Sequence, residues 1–171
     1  KGAVLVALIL MTVGTVIGSW VVSGIVPTII YYGLEILSPK VFLVVGFFIC
    51  CIISFFTGSS YSAIATLGVA LMGIGLGLNI NPGITAGMVV SGSIFGDKMS
   101  PFSDTTNLAP AVAGTDIFKH INSMLYTTVP ATAISALLYA VVGMNHGSGE
   151  LDMEIINDIN QTLKANFNIN P

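Results

Sequence analysis

The sequence contains no arginine, and five lysines and eight acidic residues are all the charge that 171 positions carry. Charged residues make up 8% of the chain, whereas a soluble domain carries about 25%, so this sequence cannot cover itself with a water-soluble surface. The shortage is uneven: residues 41–96 hold no Asp, Glu, Lys or Arg. As one helix that run would reach roughly 84 Å against about 30 Å of hydrocarbon, so it must turn back at least once. With no arginine and a net charge of −3, the chain has no electrostatic footprint for nucleic acid. Cysteine is nearly absent too. Cys50 and Cys51 are neighbours in an apolar stretch, and they are predicted to be free thiols packed between helices. No His/Cys cluster has zinc-site spacing, and no cofactor is expected.

What is present is grease: 54% hydrophobic residues and a mean hydropathy of +0.92. The predicted fold class is an all-α integral membrane protein, a multi-span helical bundle with interrupted helices and a re-entrant hairpin. Residues 1–144 read as the transmembrane core, and 145–171 as a polar extramembrane loop with a short amphipathic helix over 150–167, where apolar residues recur at helical spacing. The chain opens on Lys1 without a signal peptide and is read as an internal piece of a longer protein. Its first stretch, 2–34, is too long for one upright span and too short for two. Gly14, Gly18, Gly24 and Pro27 loosen it, which predicts either one long broken helix or a hairpin with its tip near 18–24. Trp20 is assigned to packing or an interfacial anchor.

Glu35 to Lys40 marks a boundary at water, with Glu35 solvated. A span over 41–56 then stops at Thr57-Gly58-Ser59-Ser60, four small or polar residues at membrane depth. A glycine-rich span over 61–78 ends in the turn Asn79-Ile80-Asn81-Pro82-Gly83, and a short apolar segment follows over 84–95. Residues 115–126 look amphipathic and are predicted to lie along the interface, ahead of a separate span over 127–143 interrupted by Pro130. His120 and His146 flank that span and are read as interfacial. Lys40, Lys98 and Lys119 share one side of the membrane if an even number of crossings separates Lys40 from Lys98.

The densest chemistry is the run Gly96-Asp-Lys-Met-Ser-Pro-Phe-Ser-Asp-Thr-Thr-Asn107. Ionisable residues at the edge of such apolar segments are functional candidates by default. Ser100-Pro101 fits an N-cap followed by Pro at the first helical position, and Ser103 or Asp104 would cap equally well. Carboxylate, hydroxyl and amide oxygens are hard ligands that suit alkali cations. The candidate Na+/H+ site is therefore Asp104 and Asp97 with Ser103, Thr105, Thr106 and Asn107, joined by Thr57, Ser59 and Ser60. Asp104, flanked by hydroxyls, is the better ligand, and Asp97 is partly neutralised by Lys98. One buried carboxylate that binds either a proton or a Na+ couples the two movements.

The residues 96–116, Gly-Asp-Lys-Met-Ser-Pro-Phe-Ser-Asp-Thr-Thr-Asn-Leu-Ala-Pro-Ala-Val-Ala-Gly-Thr-Asp, strongly resemble the signature of the NhaC-type sodium/proton antiporters. Thr57-Gly-Ser-Ser60, Gly68-Val-Ala-Leu-Met-Gly-Ile-Gly75 and Met124-Leu-Tyr-Thr-Thr-Val-Pro130 look like its neighbours, while Phe102 and Tyr61 stand where Leu and Trp are expected. The resemblance implies a secondary antiporter and not an enzyme, with Na+ and H+ as transported ions. It implies a fold of inverted repeats around a midplane site, of which this chain is one half. Its partners would be the lipid bilayer and the remaining half of the same chain, with no nucleic acid and with homo-oligomerisation left open. A multi-pass location in a bacterial or archaeal cell membrane follows. Some relatives exchange malate for lactate, so the alternative is a Na+-coupled organic-acid exchanger. An aspartyl-protease dyad would need a second carboxylate on an apposed helix, and the spans before Gly96 offer only Glu35.

Overall fold

The computed structural model describes residues 11, 15, 18–20, 22–146, 157, 161 and 162. Its regular elements are all α-helical: α1 (Ile25–Ile36), α2 (Pro39–Thr57), α3 (Ser60–Gly77), α4 (Pro82–Met99), α5 (Asp104–Ala113) and α6 (Ile117–His146). Three of them, α2, α3 and α6, are long and apolar enough to cross a membrane. Ahead of α1 the helix is interrupted at Ser23-Gly24, with Gly24 at φ 84°. The rest of the expected broken helix or hairpin lies outside the described residues. So does the expected helix over 150–167, apart from Asn157, Gln161 and Thr162, which are helical.

Local chemistry sets the boundaries. Pro39 occupies the first turn of α2, where its missing N–H is no loss. Gly58 ends that helix at φ 65°, a left-handed conformation that costs a residue with a Cβ about 1–2 kcal/mol. Asn79 at φ 56° turns the chain out of α3, and Asn81 caps α4 by accepting the Gly83 N–H at 2.8 Å.

In hydrocarbon the lipid competes for apolar contacts, so helices associate through close packing of small residues and hydrogen bonds. The α2–α4 seam shows this directly. A Cβ at Gly92 would lie 2.6 Å from the Phe47 carbonyl oxygen, and one at Gly96 2.7 Å from the Phe55 nitrogen. Ser54 Oγ on α2 donates to the Ser93 carbonyl on α4. Around this seam Phe42, Leu43, Phe47, Cys50, Leu71, Ile74, Met88 and Val89 form the core. Both cysteines are free and buried, as expected.

The contacts also fix direction. Along α2, Gly46, Phe47 and Phe55 meet Met88, Gly92 and Gly96 in rising order, so α2 and α4 run parallel. Gly75 meets Thr85 while Ser60 meets Asp97, so α3 runs against α4. Gly143 packs on the Lys40 carbonyl and Tyr139 on Phe47, so α6 runs against α2.

One condition left open is answered, and two expectations need correction. Lys40 lies at the end of the bundle that holds Gly143, and Lys98 lies at the other end with His120. Three helices of nearly equal length separate the two lysines, which is an odd number of traverses. The amphipathic segment and the last span are one 30-residue helix, because nothing between Tyr126 and Thr127 breaks it and Pro130 is carried inside. Finally, α4 does not stop at Phe95 but continues through Asp97 and Lys98 to Met99. Ser100 therefore closes α4, and Ser103 sits at the N-cap of α5.

Candidate functional site

Two interruptions meet at one end of the bundle. The first, residues 57–60, joins α2 to α3; Ser59 opens α3, its Oγ accepting the Ser62 N–H at 3.3 Å. The second, residues 100–103, joins α4 to α5. They are in direct contact: a Cβ at Gly58 would lie 2.7 Å from the Phe102 carbonyl carbon, and Ser100 Oγ donates to the Phe55 carbonyl oxygen at 2.6 Å. The C-terminal ends of α2 and α4 and the N-terminal ends of α3 and α5 thus converge. Helix C-termini concentrate negative partial charge and N-termini positive charge, so this junction offers both signs within a few ångströms.

Asp97 lies at its centre, in the last turn of α4 and half-buried. Its Oδ2 accepts a hydrogen bond from Ser60 Oγ across the seam at 2.9 Å, and Ser60 is buried at 8% exposure. From the other side Thr106 Oγ1 donates to the Lys98 carbonyl at 3.0 Å and approaches that of Asp97 at 3.4 Å. Ser60 thus holds the carboxylate from the first turn of α3, while Thr106 ties the backbone of the same α4 turn to the first turn of α5. Beside it opens a cleft of about 320 Å³, lined by Ile94, Asp97, Lys98, Thr105, Thr106, His120 and Met124. Among the described residues no three His, Cys, Asp or Glu side chains gather as a metal-binding group. A cation in this cleft meets the Asp97 carboxylate and neutral hydroxyl oxygens, with the Lys98 side chain also in the lining.

The nine expected site residues divide. Asp97, Ser60, Thr105 and Thr106 are brought together. Ser103 is buried, and its Oγ pairs with Thr105 Oγ1 at 2.9 Å. Asn107 braces the turn by donating from Nδ2 to the Pro101 and Ser103 carbonyls, both at 2.8 Å. Ser59 is engaged as a cap, and exposed Thr57 reaches its own chain, the Ser54 and Ser59 carbonyls at 3.4 Å. Asp104 is exposed at the first position of α5, where the positive end of the helix favours a carboxylate.

Two contributors escaped the sequence reading. Ser100, buried, ties the two interruptions together where a cap was expected. His120, read as interfacial, is half-buried and lines the Asp97 cleft. The signal for His120 was its spacing: it starts a row with Met124 and Thr128, four residues apart on one face of α6.

Comparison with known proteins shows the family. The profile described as the Na+/H+ antiporter family matches residues 2–106 and 92–170. The chain belongs to the Na+/H+ antiporter family. Among its curated relatives, the Na(+)/H(+) antiporter NhaC of Alkalihalophilus pseudofirmus is 52% identical over 140 residues, covering 82% of this chain and 30% of that protein. The Malate-2H(+)/Na(+)-lactate antiporter of Bacillus subtilis is 43% identical over 162 residues, covering 95% of this chain and 35% of its own length. The arginine/ornithine antiporter ArcD of Halobacterium salinarum is 42% identical over 141 residues, 82% of this chain and 29% of that one. The chain spans about a third of the length of these relatives. No solved structure matches it. Family membership and the apolar helices make this a membrane protein.

Proposed function

We propose that this chain carries the ion-binding junction of a multi-pass cell-membrane antiporter that exchanges Na+ for H+, with Asp97 alternating between a protonated and a Na+-bound state. The observation that carries the reading is the Ser60 Oγ–Asp97 Oδ2 hydrogen bond, which ties the first interruption to a carboxylate in the last turn of α4, just ahead of the second. A carboxylate among hydroxyl and carbonyl oxygens is a hard, singly charged site, suited to a proton or a monovalent cation and poorly matched to soft metals. Because both ions need the same oxygen, each is released as the other arrives, and that competition couples the fluxes without a second site. Thr105 and Thr106 complete the near shell, and Ser59, Ser103, Asn107 and Thr57 hold the two turns in shape.

This reading places Asp97 ahead of Asp104, because Asp97 is the carboxylate held between helices. The test is the full-length transporter in vesicles. Asp97→Asn is expected to abolish Na+-dependent proton movement, while Asp104→Asn retains it with weakened Na+ affinity. The opposite ranking would move the site to the first turn of α5.

The malate/lactate relative, which matches 95% of this chain, favours one second reading: a Na+-coupled carboxylate exchanger. The N-terminus of α5 and the Lys98 ammonium beside the cleft are suited to an organic anion. Uptake of labelled lactate driven by a Na+ gradient separates the two. Uptake supports the carboxylate reading, and a Na+/H+ exchange indifferent to lactate removes it.

A further inference from the structure

Beyond the Asp97 cleft, a second cavity of about 350 Å³ lies along the seam of α4 and α6. Its polar lining is Ser91 and Lys98 from α4 with Thr127, Thr128, Thr132 and Ser135 from α6. Ile94 and Lys98 line both cavities, so the second adjoins the first. On α6, His120, Met124, Thr128, Thr132, Ser135 and Tyr139 follow one another at three- or four-residue steps and form one helix face. Nineteen residues separate its ends, about 28 Å of helix, close to the thickness of the hydrocarbon. Elsewhere on the helix, Tyr126, Val129, Leu137, Leu138 and Met144 are exposed. Thr128 is buried and Thr132, Ser135 and Tyr139 are half-buried, while the exposed side is mostly hydrocarbon, the arrangement a polar face takes when it lines an interior or a water-filled space within a membrane.

The hydrogen bonds define what that face can bind. Thr128 donates to the Met124 carbonyl at 2.8 Å, Thr132 to Thr128 at 2.8 Å and Ser135 to Ala131 at 2.9 Å. Across the groove Ser91 Oγ donates to the Gly87 carbonyl at 2.7 Å. With its proton committed to the helix, each hydroxyl has lone pairs left and is an acceptor. Ser91 Oγ and Tyr139 Oη are 2.8 Å apart, and since the proton of Ser91 is already used, Tyr139 is the donor. The groove is walled mostly by the hydrocarbon of Phe47, Ile94, Phe95 and Ala131, and along it runs a row of acceptors that can receive the protons of water and coordinate cations, with Lys98 also in the lining.

We propose that the α4–α6 seam is the hydrated access path by which Na+ and H+ reach Asp97, a water-and-cation route lined by Ser91, Thr128, Thr132 and Ser135. Its ionic cargo rests on the Na+/H+ reading above, but its hydration does not. Lys98 stands where path and site meet. A cation passing it meets a like charge until Asp97 is within reach, which keeps the path from trapping ions and reserves binding for the carboxylate.

The experiment uses the full-length transporter in vesicles, with Cys50 and Cys51 replaced by Ala and single cysteines introduced as Thr128→Cys, Thr132→Cys, Ser135→Cys and, on the outward face, Leu138→Cys. A charged, membrane-impermeant methanethiosulfonate is expected to modify the first three and not the fourth, and the modified Thr132→Cys protein is expected to slow exchange. Reaction of the three only with a lipid-soluble maleimide, or with neither reagent, would overturn the path. Should the alanine background fail to fold, Thr132→Val in the otherwise native chain carries the test. It is expected to lower the rate at saturating Na+ about fivefold with little change in the Na+ KM, and Thr132→Ser to restore it; native rates in Thr132→Val overturn the proposal. A protein that labels as expected but exchanges no Na+ keeps the path and removes the Na+/H+ reading.

Discussion

Ser60 and Asp97 are thirty-seven residues apart and meet at 2.9 Å, and the chemistry of that bond sets what removing it does. A hydroxyl donating to a carboxylate stabilises the ionised form, and hydrogen bonds to charged groups contribute roughly 1.5–3 kcal/mol. On the Na+/H+ reading the carboxylate is what binds Na+, so Ser60→Ala is expected to raise the Na+ KM of the full-length transporter about tenfold or more. Exchange rates measured against Na+ concentration check this, and an unchanged KM would show that Ser60 only packs. Among the described residues, Asp104 accepts no such hydrogen bond from another helix. The difference between the two aspartates could not be read from sequence, where the hydroxyl-rich flanks of Asp104 favoured it. Flanking residues on a helix point around its circumference, so neighbours in sequence are not neighbours at a carboxylate.

The α2–α4 seam is the element-scale counterpart, because it holds the two interruptions in register. Gly92 and Gly96 sit four apart on α4 against the backbone of α2, a small-xxx-small contact that lets two helices approach closely. Gly96→Val would drive a side chain into the Phe55 nitrogen and the Ser54 Cβ, and overpacking of this kind typically costs about 1–3 kcal/mol. The expected result is a lower thermal midpoint for the purified full-length protein, with loss of exchange as Asp97 moves from Ser60. Gly87→Ala is the control. Gly87 lies on the same helix but is exposed, and a Cβ there would approach only Tyr139 Oη, at 3.8 Å, so Ala is expected to be tolerated. Helix propensity alone would favour both replacements over glycine, so equal destabilisation by both would mean that the close α2–α4 approach at Gly96 is not what sets the difference. Elements of this kind were largely legible: Thr57 to Ser60 as a break, Asn79 to Gly83 as a turn and two of the three spans followed from composition and punctuation. The extent of α4 and α6 was not. Polar residues were taken as helix ends, yet Asp97 and Lys98 continue α4 because nothing at those positions forbids helical backbone.

At the scale of the whole molecule, the directions of the helices decide which charges share a side. Sequence gave the spans but not the parallel pairing of α2 with α4, since that depends on contacts between residues about forty positions apart. Charge counting on three lysines carries too little free energy to settle it, because the positive-inside bias is summed over many basic residues near the ends of spans. The contacts do settle it: the Lys40 carbonyl packs on Gly143 at one end of α6, and Lys119 lies in the first turn of the same helix at the other end. With α6 long enough to span, Lys40→Cys and Lys119→Cys are expected to react with an impermeant thiol reagent from opposite sides of the membrane. The measurement compares right-side-out and inverted vesicles of the full-length transporter, with each cysteine introduced singly. Both residues are exposed, so a protected thiol at either position would point to cover by another part of the chain, and labelling of both from one side would contradict the antiparallel run of α2 and α6. Opposite-side labelling would also place the Asp97 junction toward the Lys119 side, leaving the hydroxyl face of α6 to carry ions the remaining distance.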